Sequence, residues 1–124
     1  MIGYAMLGSN DLPRALGFYD ELLAVLGGQR MYAGETFQTY GVTAPVLGIC
    51  KPYDGGPATP GNGTMIALTA ETRAKVDEAH AKALALGGKD EGAPGIRGGE
   101  GSDFYAAYFR DLDGNKLCVF KVGQ

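Results

Sequence analysis

The sequence predicts an α+β fold in which one domain of 124 residues contains two βαβββ modules. The first observation is a helix-like pattern that ends in two glycines and occurs twice, with Gly87 and Gly88 lying 60 residues after Gly27 and Gly28. The second is that one β-like run precedes each helix-like pattern and three follow it. A period this long that occurs only twice indicates a duplicated module rather than a repeat array. We expect module one at residues 1–52, a linker at 53–63 and module two at 64–124.

The first module is expected to start with a short strand over residues 2–7. The stretch DLPRALGFYDELLAVLGG then predicts a helix in which Asp11 is the N-cap and Pro13 is accepted in the first turn. Its apolar positions would form one buried face, namely Ala15, Phe18, Leu22 and Val25. Three β-like runs should follow, near residues 29–33, 36–42 and 45–51.

The second module repeats this order. A strand over residues 64–69 precedes a helix capped by Thr72, which lies 61 residues after Asp11. The buried face of this helix is expected at Val76, Ala79, Ala83 and Leu86. Three further strands are predicted near residues 88–91, 104–110 and 116–122.

Two segments rich in glycine lie outside these elements. The stretch YDGGPATPGNG (53–63) is unsuited to a helix and is a poor strand, so it is interpreted as the linker. The stretch GAPGIRGGEGSD (92–103) is longer than an ordinary connection between strands. It is expected to be either a lid over a binding site or a surface loop.

Composition and charge exclude several classes of protein. The net charge of −3, with only 11 Lys and Arg residues in the chain, argues against nucleic-acid binding. No segment has the ~20 apolar residues of a membrane span, and the first residues have no basic region typical of a signal peptide. The two cysteines, Cys50 and Cys118, are a poor disulfide framework. We therefore expect a cytoplasmic protein.

The stretch RDLDGNKL predicts a hairpin in which Gly114 and Asn115 tolerate positive φ. Together with NDLPRALGFYDELL in the first half, it resembles the vicinal oxygen chelate superfamily, which includes glyoxalases, extradiol dioxygenases and proteins of bleomycin or fosfomycin resistance. The resemblance covers essentially the whole chain. It implies a mixed sheet that is curved into a cup, with the helices outside. It is weak for activity because the fold serves several chemistries.

The resemblance also implies where a divalent metal would lie in the cup. The positions that usually carry its ligands are Tyr4, Met65, Gly48 or Cys50, and Cys118. None has the usual imidazole or carboxylate, which Mg²⁺, Mn²⁺ and Fe²⁺ prefer. Tyr, Met and Cys can each bind some metal, and a Cys/Met pair suits Cu(I). We expect no cofactor, and a divalent metal stays the alternative.

Three further residues are candidates for a functional role. His80 is the only histidine and lies in the middle of the second helix, so it is expected at the surface or at a boundary, away from the cup. Cys118 should have a raised pKa because it lies in an apolar strand. Arg97 is interpreted either as a clamp for an anionic ligand group or as a solvated loop charge. The predicted ligand pocket consists of Tyr4, Met65, Arg97, Tyr105, Tyr108, Cys118 and Phe120.

Two functions remain open on the sequence alone. The first is a protein that binds a small organic molecule in the cup without metal, as the resemblance to resistance proteins implies. The second is a glyoxalase-type lyase or a dioxygenase with an unusual ligand set, or one that uses Tyr or Cys for acid–base chemistry. The missing ligands favour binding. Relatives of this fold pair two chains, so a homodimer is expected.

Overall fold

The computed structural model describes the whole chain, Met1 to Gln124, and contains the two predicted modules. Module one consists of β1 (Ala5–Gly8), α1 (Leu12–Val25), β2 (Gln29–Ala33), β3 (Phe37–Gly41) and β4 (Pro45–Cys50). Module two consists of β5 (Ile66–Thr69), α2 (Arg73–Ala85), β6 (Lys89–Arg97), β7 (Phe104–Arg110) and β8 (Lys116–Val122). The predicted α+β class is confirmed.

Each module forms a four-stranded mixed sheet with the same topology. The strand orders are β1-β4-β3-β2 and β5-β8-β7-β6. The first strand pairs in parallel with the last, and the remaining pairs are antiparallel. Residues 53–63, which connect the two sheets, contain no helix or strand.

Both helices begin where the sequence predicts. Asp11 accepts a hydrogen bond from the Arg14 amide, and Thr72 accepts one from the Lys75 amide. Each side chain thus satisfies a donor that the first helical turn leaves without a partner. Gly27 and Gly87 follow the helices with φ of +81° and +101°, a conformation that favours glycine.

One hydrophobic core joins the modules. It contains Phe18 and Leu22 of α1 together with Val76 and Ala83 of α2, all with at most 2% exposure. The predicted Val25 and Leu86 are only half-buried at its border. The helices therefore cover one face of each sheet, and the opposite face is free of helices.

Three strand boundaries differ clearly from the prediction. The first strands of the modules begin at Ala5 and Ile66, later than predicted. β6 continues to Arg97, so the lid proposed over residues 92–103 is wrong in its first half, and only residues 98–103 form a connection. Pro94 is tolerated there because β6 is an edge strand, and its register shifts twice opposite β7.

His80, which was expected at the surface or at a boundary, is buried between α2 and the sheet of module two. The residue is only 6% exposed, and its Nε2 donates to Oδ1 of Asp90, 3.0 Å away. Its ring contacts Phe109 at a centroid distance of 6.4 Å. His80 therefore joins α2 to module two's sheet on the face that the helix covers.

The turn DLDGN connects the two modules. Asp111 accepts hydrogen bonds from the amides of Asp113 and Asn115 and from the hydroxyl of Tyr19. The Nδ2 atom of Asn115 donates to the Gly8 carbonyl, 2.9 Å away. Gly114 has φ of +88° as predicted, whereas Asn115 has a negative φ. The charged residues of this turn thus have a structural role.

Candidate ligand-binding site

Alternation along β7 and β8 separates the candidate residues onto two faces. Ala107, Phe109, Leu117 and Val119 belong to the core beneath the helices. Tyr108, Cys118 and Phe120 therefore lie on the helix-free face, since successive side chains of a strand point to opposite faces. The rings of Phe104 and Phe120 stack there with centroids 5.4 Å apart.

The same alternation corrects the prediction that Tyr105 belongs to the ligand pocket. Its hydroxyl donates to Asp77 of α2 across 2.6 Å, and the Arg73 guanidinium lies 5.1 Å from its ring centroid. Tyr105 thus faces the helix and does not share a pocket with Tyr108 and Cys118.

A cluster of two cations and a phenol occupies the helix-free face of module two. The guanidinium of Arg97 lies 5.5 Å from the ring centroid of Tyr108, and the ammonium of Lys116 lies 5.6 Å from it. Arg97 also donates to the Ala93 carbonyl, 2.6 Å away, and is half-buried at the end of β6. The contacts of Arg97 and Lys116 with the Tyr108 ring are both of the cation–π type. The sequence-based prediction missed Lys116, although Lys116 lies two residues before Cys118 on the same strand and so on the same face.

Cys118 lies beneath this cluster and is 1% exposed. Its Cα is in register with that of Tyr108 on one side and that of Ala67 on the other. Burial raises the pKa of the Cys118 thiol, although the Tyr108 hydroxyl and the charges of Arg97 and Lys116 act in the opposite direction. Burial also raises the pKa of Tyr108. The predicted direction for the thiol is confirmed.

The strand registers identify the position in module one that corresponds to Cys118. Ala5 is in register with Leu47, and Ile66 is in register with Leu117. Gly48 therefore corresponds to Cys118, and Cys50 corresponds to Phe120. By strand register, Gly48 rather than Cys50 is thus the equivalent of Cys118 in module one.

Gly48 offers no side-chain donor, and the end of the Met6 side chain lies beside it. A Cβ atom at this residue would collide with Sδ of Met6, whose Cα is in register with Gly48. Met6 was missed by the sequence-based prediction, although it lies two residues from Tyr4 and so shares its face. In this conformation the thioether of Met6 lies where a side chain of residue 48 would begin.

The remaining donors do not fit a hard divalent metal either. Tyr4 and Met65 lie just before β1 and β5, with 59% and 41% exposure. No group of three or more His, Cys, Asp or Glu side chains is arranged to hold a metal ion. Phenol, thioether and thiol are a poor set for Mg²⁺, Mn²⁺ or Fe²⁺, which prefer carboxylate and imidazole.

Comparisons with known proteins agree with this architecture. The model of the Glyoxalase/Bleomycin resistance protein/Dioxygenase superfamily matches residues 1–119. A glyoxalase/bleomycin resistance protein from Albidiferax ferrireducens T118 is 39% identical, with a TM-score of 0.88 over 95% of this chain and 96% of that one. No curated protein matches the chain significantly.

More distant solved structures share the fold. A glyoxalase/bleomycin resistance protein/dioxygenase family enzyme from Burkholderia phytofirmans PsJN is 18% identical, with a TM-score of 0.76 over 98% of both chains. The fosfomycin resistance protein FosX from Listeria monocytogenes is 16% identical, with a TM-score of 0.68 over 97% of this chain and 91% of that one. No helix of the protein is long and apolar enough to cross a membrane.

Proposed function

Because the chain belongs to the glyoxalase/bleomycin resistance protein/dioxygenase superfamily, we propose that it binds a small organic molecule on the helix-free face without a divalent metal. The observation that carries the proposal is the pair of equivalent positions Gly48 and Cys118. At neither position is there the carboxylate or imidazole that a divalent metal would need, since Gly48 has no side chain and Cys118 has a thiol.

The ligand is an anion with a flat apolar part. Arg97 and Lys116 provide two positive charges beside the Tyr108 ring, and the stacked rings of Phe104 and Phe120 extend the apolar surface. A guanidinium can donate two parallel hydrogen bonds to a carboxylate. An aromatic ring of the ligand gains from contact with these rings. An aromatic carboxylate combines both features.

The alternative function is a lyase or dioxygenase. Its metal-dependent form needs donors that Gly48 and Cys118 do not supply. Its metal-free form needs a base near neutral pH, but burial raises the pKa of both Tyr108 and Cys118. The direction of these pKa shifts favours binding over catalysis.

We propose further that two chains associate through the helix-free faces. Apolar side chains are exposed there, including Tyr4 (59%), Met6 (40%) and Met65 (41%). Association would remove this surface from water. Sedimentation equilibrium should give a dimer, and a monomer at tens of micromolar would reject this part of the proposal.

Two measurements test the proposed ligand class. Mass spectrometry of protein purified without dialysis should detect a retained organic anion. The fluorescent probe 1-naphthoate should bind saturably, whereas 1-naphthylamine, which has the same rings without the negative charge, should bind at least about tenfold more weakly. Equal affinity for the two probes, or a neutral retained molecule, would contradict the proposal.

A further inference from the structure

We infer that a second binding site lies between the two modules and takes a small apolar molecule that carries an ammonium group. The site is a cavity of about 500 Å³ between the β3–β4 hairpin and the end of β5. This volume lies within the range of ~300–1,000 Å³ that is usual for small-molecule sites. None of Arg97, Tyr108, Lys116 and Cys118 lines it, so the inference goes beyond the proposed function.

The cavity exists because only one of the two junctions between the modules is closed by hydrogen bonds. At one junction, the turn 111–115 binds the end of β1 directly. Asn115 donates to the Gly8 carbonyl across 2.9 Å, and the Asn10 amide donates to Asp113 across 2.9 Å. The linker adds Ala58, which exchanges hydrogen bonds with the Asn10 side chain.

The equivalent junction is open. By the strand registers, Pro45 corresponds to Asn115 and Thr69 corresponds to Gly8. Proline has no side-chain amide that could bridge to β5. The hairpin between β3 and β4 also has three residues, 42–44, where the turn between β7 and β8 has five, 111–115. The shorter hairpin makes no hydrogen bond with β5, and the cavity lies between the hairpin and this strand.

The lining defines the chemistry of the ligand. The base of the cavity is apolar and includes Leu23, Leu26 and Leu47. The one charged residue of the lining is Glu71, at the rim. Its carboxylate makes no ion pair within the chain. An apolar body with one ammonium group therefore matches both the base and the rim.

Charge and shape together favour a small molecule over a second copy of the chain. The cavity is a concave space of about 500 Å³, so a flat sheet face would contact only its rim. A single unpaired carboxylate at the mouth of an apolar cavity suits one cationic group. The structure thus assigns this site to amphiphilic amines.

The test uses hexylamine, 1-hexanol and hexanoate as matched probes and the full-length protein. Amide signals in two-dimensional NMR report binding at the site. We expect hexylamine to shift the signals of residues 42–44 and Thr69 saturably, with an affinity in the millimolar range that is normal for so small a probe. Glu71→Gln should weaken hexylamine binding about threefold to fivefold, because an exposed carboxylate contributes modestly, and leave hexanol binding unchanged.

The controls separate this site from its alternatives. Glu78→Gln removes a carboxylate of α2 that does not line the cavity and should change nothing. Glu71→Lys should reverse the preference from hexylamine to hexanoate. The inference is overturned if hexylamine shifts no signal at the cavity, or if Glu71→Gln leaves its affinity unchanged. It is equally overturned if these signals respond only to protein concentration, which would make the cavity a contact between copies. Binding of 1-naphthoate should be unaffected by Glu71→Gln, so the two sites fail or succeed independently.

Discussion

The hydroxyl of Tyr19 donates a hydrogen bond to Oδ2 of Asp111, 2.5 Å away, although the two residues are 92 positions apart. Tyr19 belongs to α1 of module one, and Asp111 begins the turn before the last strand of module two. Both residues are buried. This bond therefore connects the two modules inside the core.

Tyr19→Phe should lower the free energy of unfolding by about 1.5–3 kcal/mol, the usual contribution of a hydrogen bond to a charged group. The substitution removes one donor from a buried carboxylate and leaves the ring in place. Urea denaturation measures the difference. Tyr53→Phe removes the hydroxyl of a fully exposed tyrosine and should change stability by less than about 0.5 kcal/mol. Equal stability of Tyr19→Phe and the parent would show that the bond contributes nothing.

Stability should also fall in alkaline solution. Burial, followed by the charge of Asp111, raises the pKa of Tyr19, and burial with Asp20 raises the pKa of Tyr40. The neutral phenols are thus favoured in the folded state, while unfolded tyrosine ionises near pH ~10. The stabilisation is complete below that pH and is lost as the pH rises from there toward the folded pKa.

Tyr19→Phe removes one of the phenols that release a proton on unfolding. The loss of unfolding free energy should therefore be smaller, by up to about 1.4 kcal/mol per pH unit above pH ~10. Urea denaturation at several pH values between about 9 and 12 measures the slope of stability against pH. Tyr53→Phe again serves as the control. Parallel slopes for Tyr19→Phe and the parent would contradict the proposed cause.

Arg97→Ala should weaken 1-naphthoate binding about tenfold, since a charge-assisted hydrogen bond contributes about 1.5–3 kcal/mol when sheltered and less at a half-exposed site. The melting temperature without ligand should stay nearly unchanged, because the contacts of Arg97 are one carbonyl and one ring face. Lys121→Ala is the matched control, since Lys121 alternates with Phe120 and lies off this face. Unchanged affinity, or strong destabilisation of the empty protein, would make Arg97 a structural residue.

Cys118 should react slowly with thiol reagents at neutral pH. It is 1% exposed, and burial raises the pKa of its thiol, so little thiolate is available. In a Cys50→Ser variant, only Cys118 remains to be followed by alkylation and mass spectrometry. Cys118→Ser should cost about 1 kcal/mol because burying a hydroxyl costs more than burying the less polar thiol. Rapid alkylation of Cys118 in the folded variant would refute its inert character.

The sequence predicted the elements whose signals are local. The N-caps Asp11 and Thr72 and the bounds of β7 and β8 were predicted correctly, because capping and alternation depend on near neighbours. β6 was predicted too short because glycine and Pro94 usually end a strand, whereas an edge strand with bulges tolerates them. His80 was predicted at the surface or at a boundary, and its burial was missed because its partner Asp90 lies on another element.

The candidate site was predicted less completely, for a similar physical reason. Tyr108 and Cys118 share a face by register, but which residues of β7 face α2 depends on packing that no local pattern reveals. Tyr105 was therefore assigned to the wrong face, and Lys116 was missed. The equivalence of Gly48 and Cys118 required the pairing registers of both sheets.

Elemental analysis of protein purified without chelators tests the central claim most directly. The donors at Tyr4, Met65, Gly48 and Cys118 predict less than about one tenth of an equivalent of Mg²⁺, Mn²⁺, Fe²⁺, Ni²⁺ or Zn²⁺ per chain, also after incubation with each metal and desalting. Retention of 1-naphthoate binding in such metal-free protein completes the expected result. One equivalent of any of these metals, lost on substitution of Cys118 or Tyr4, would contradict the account.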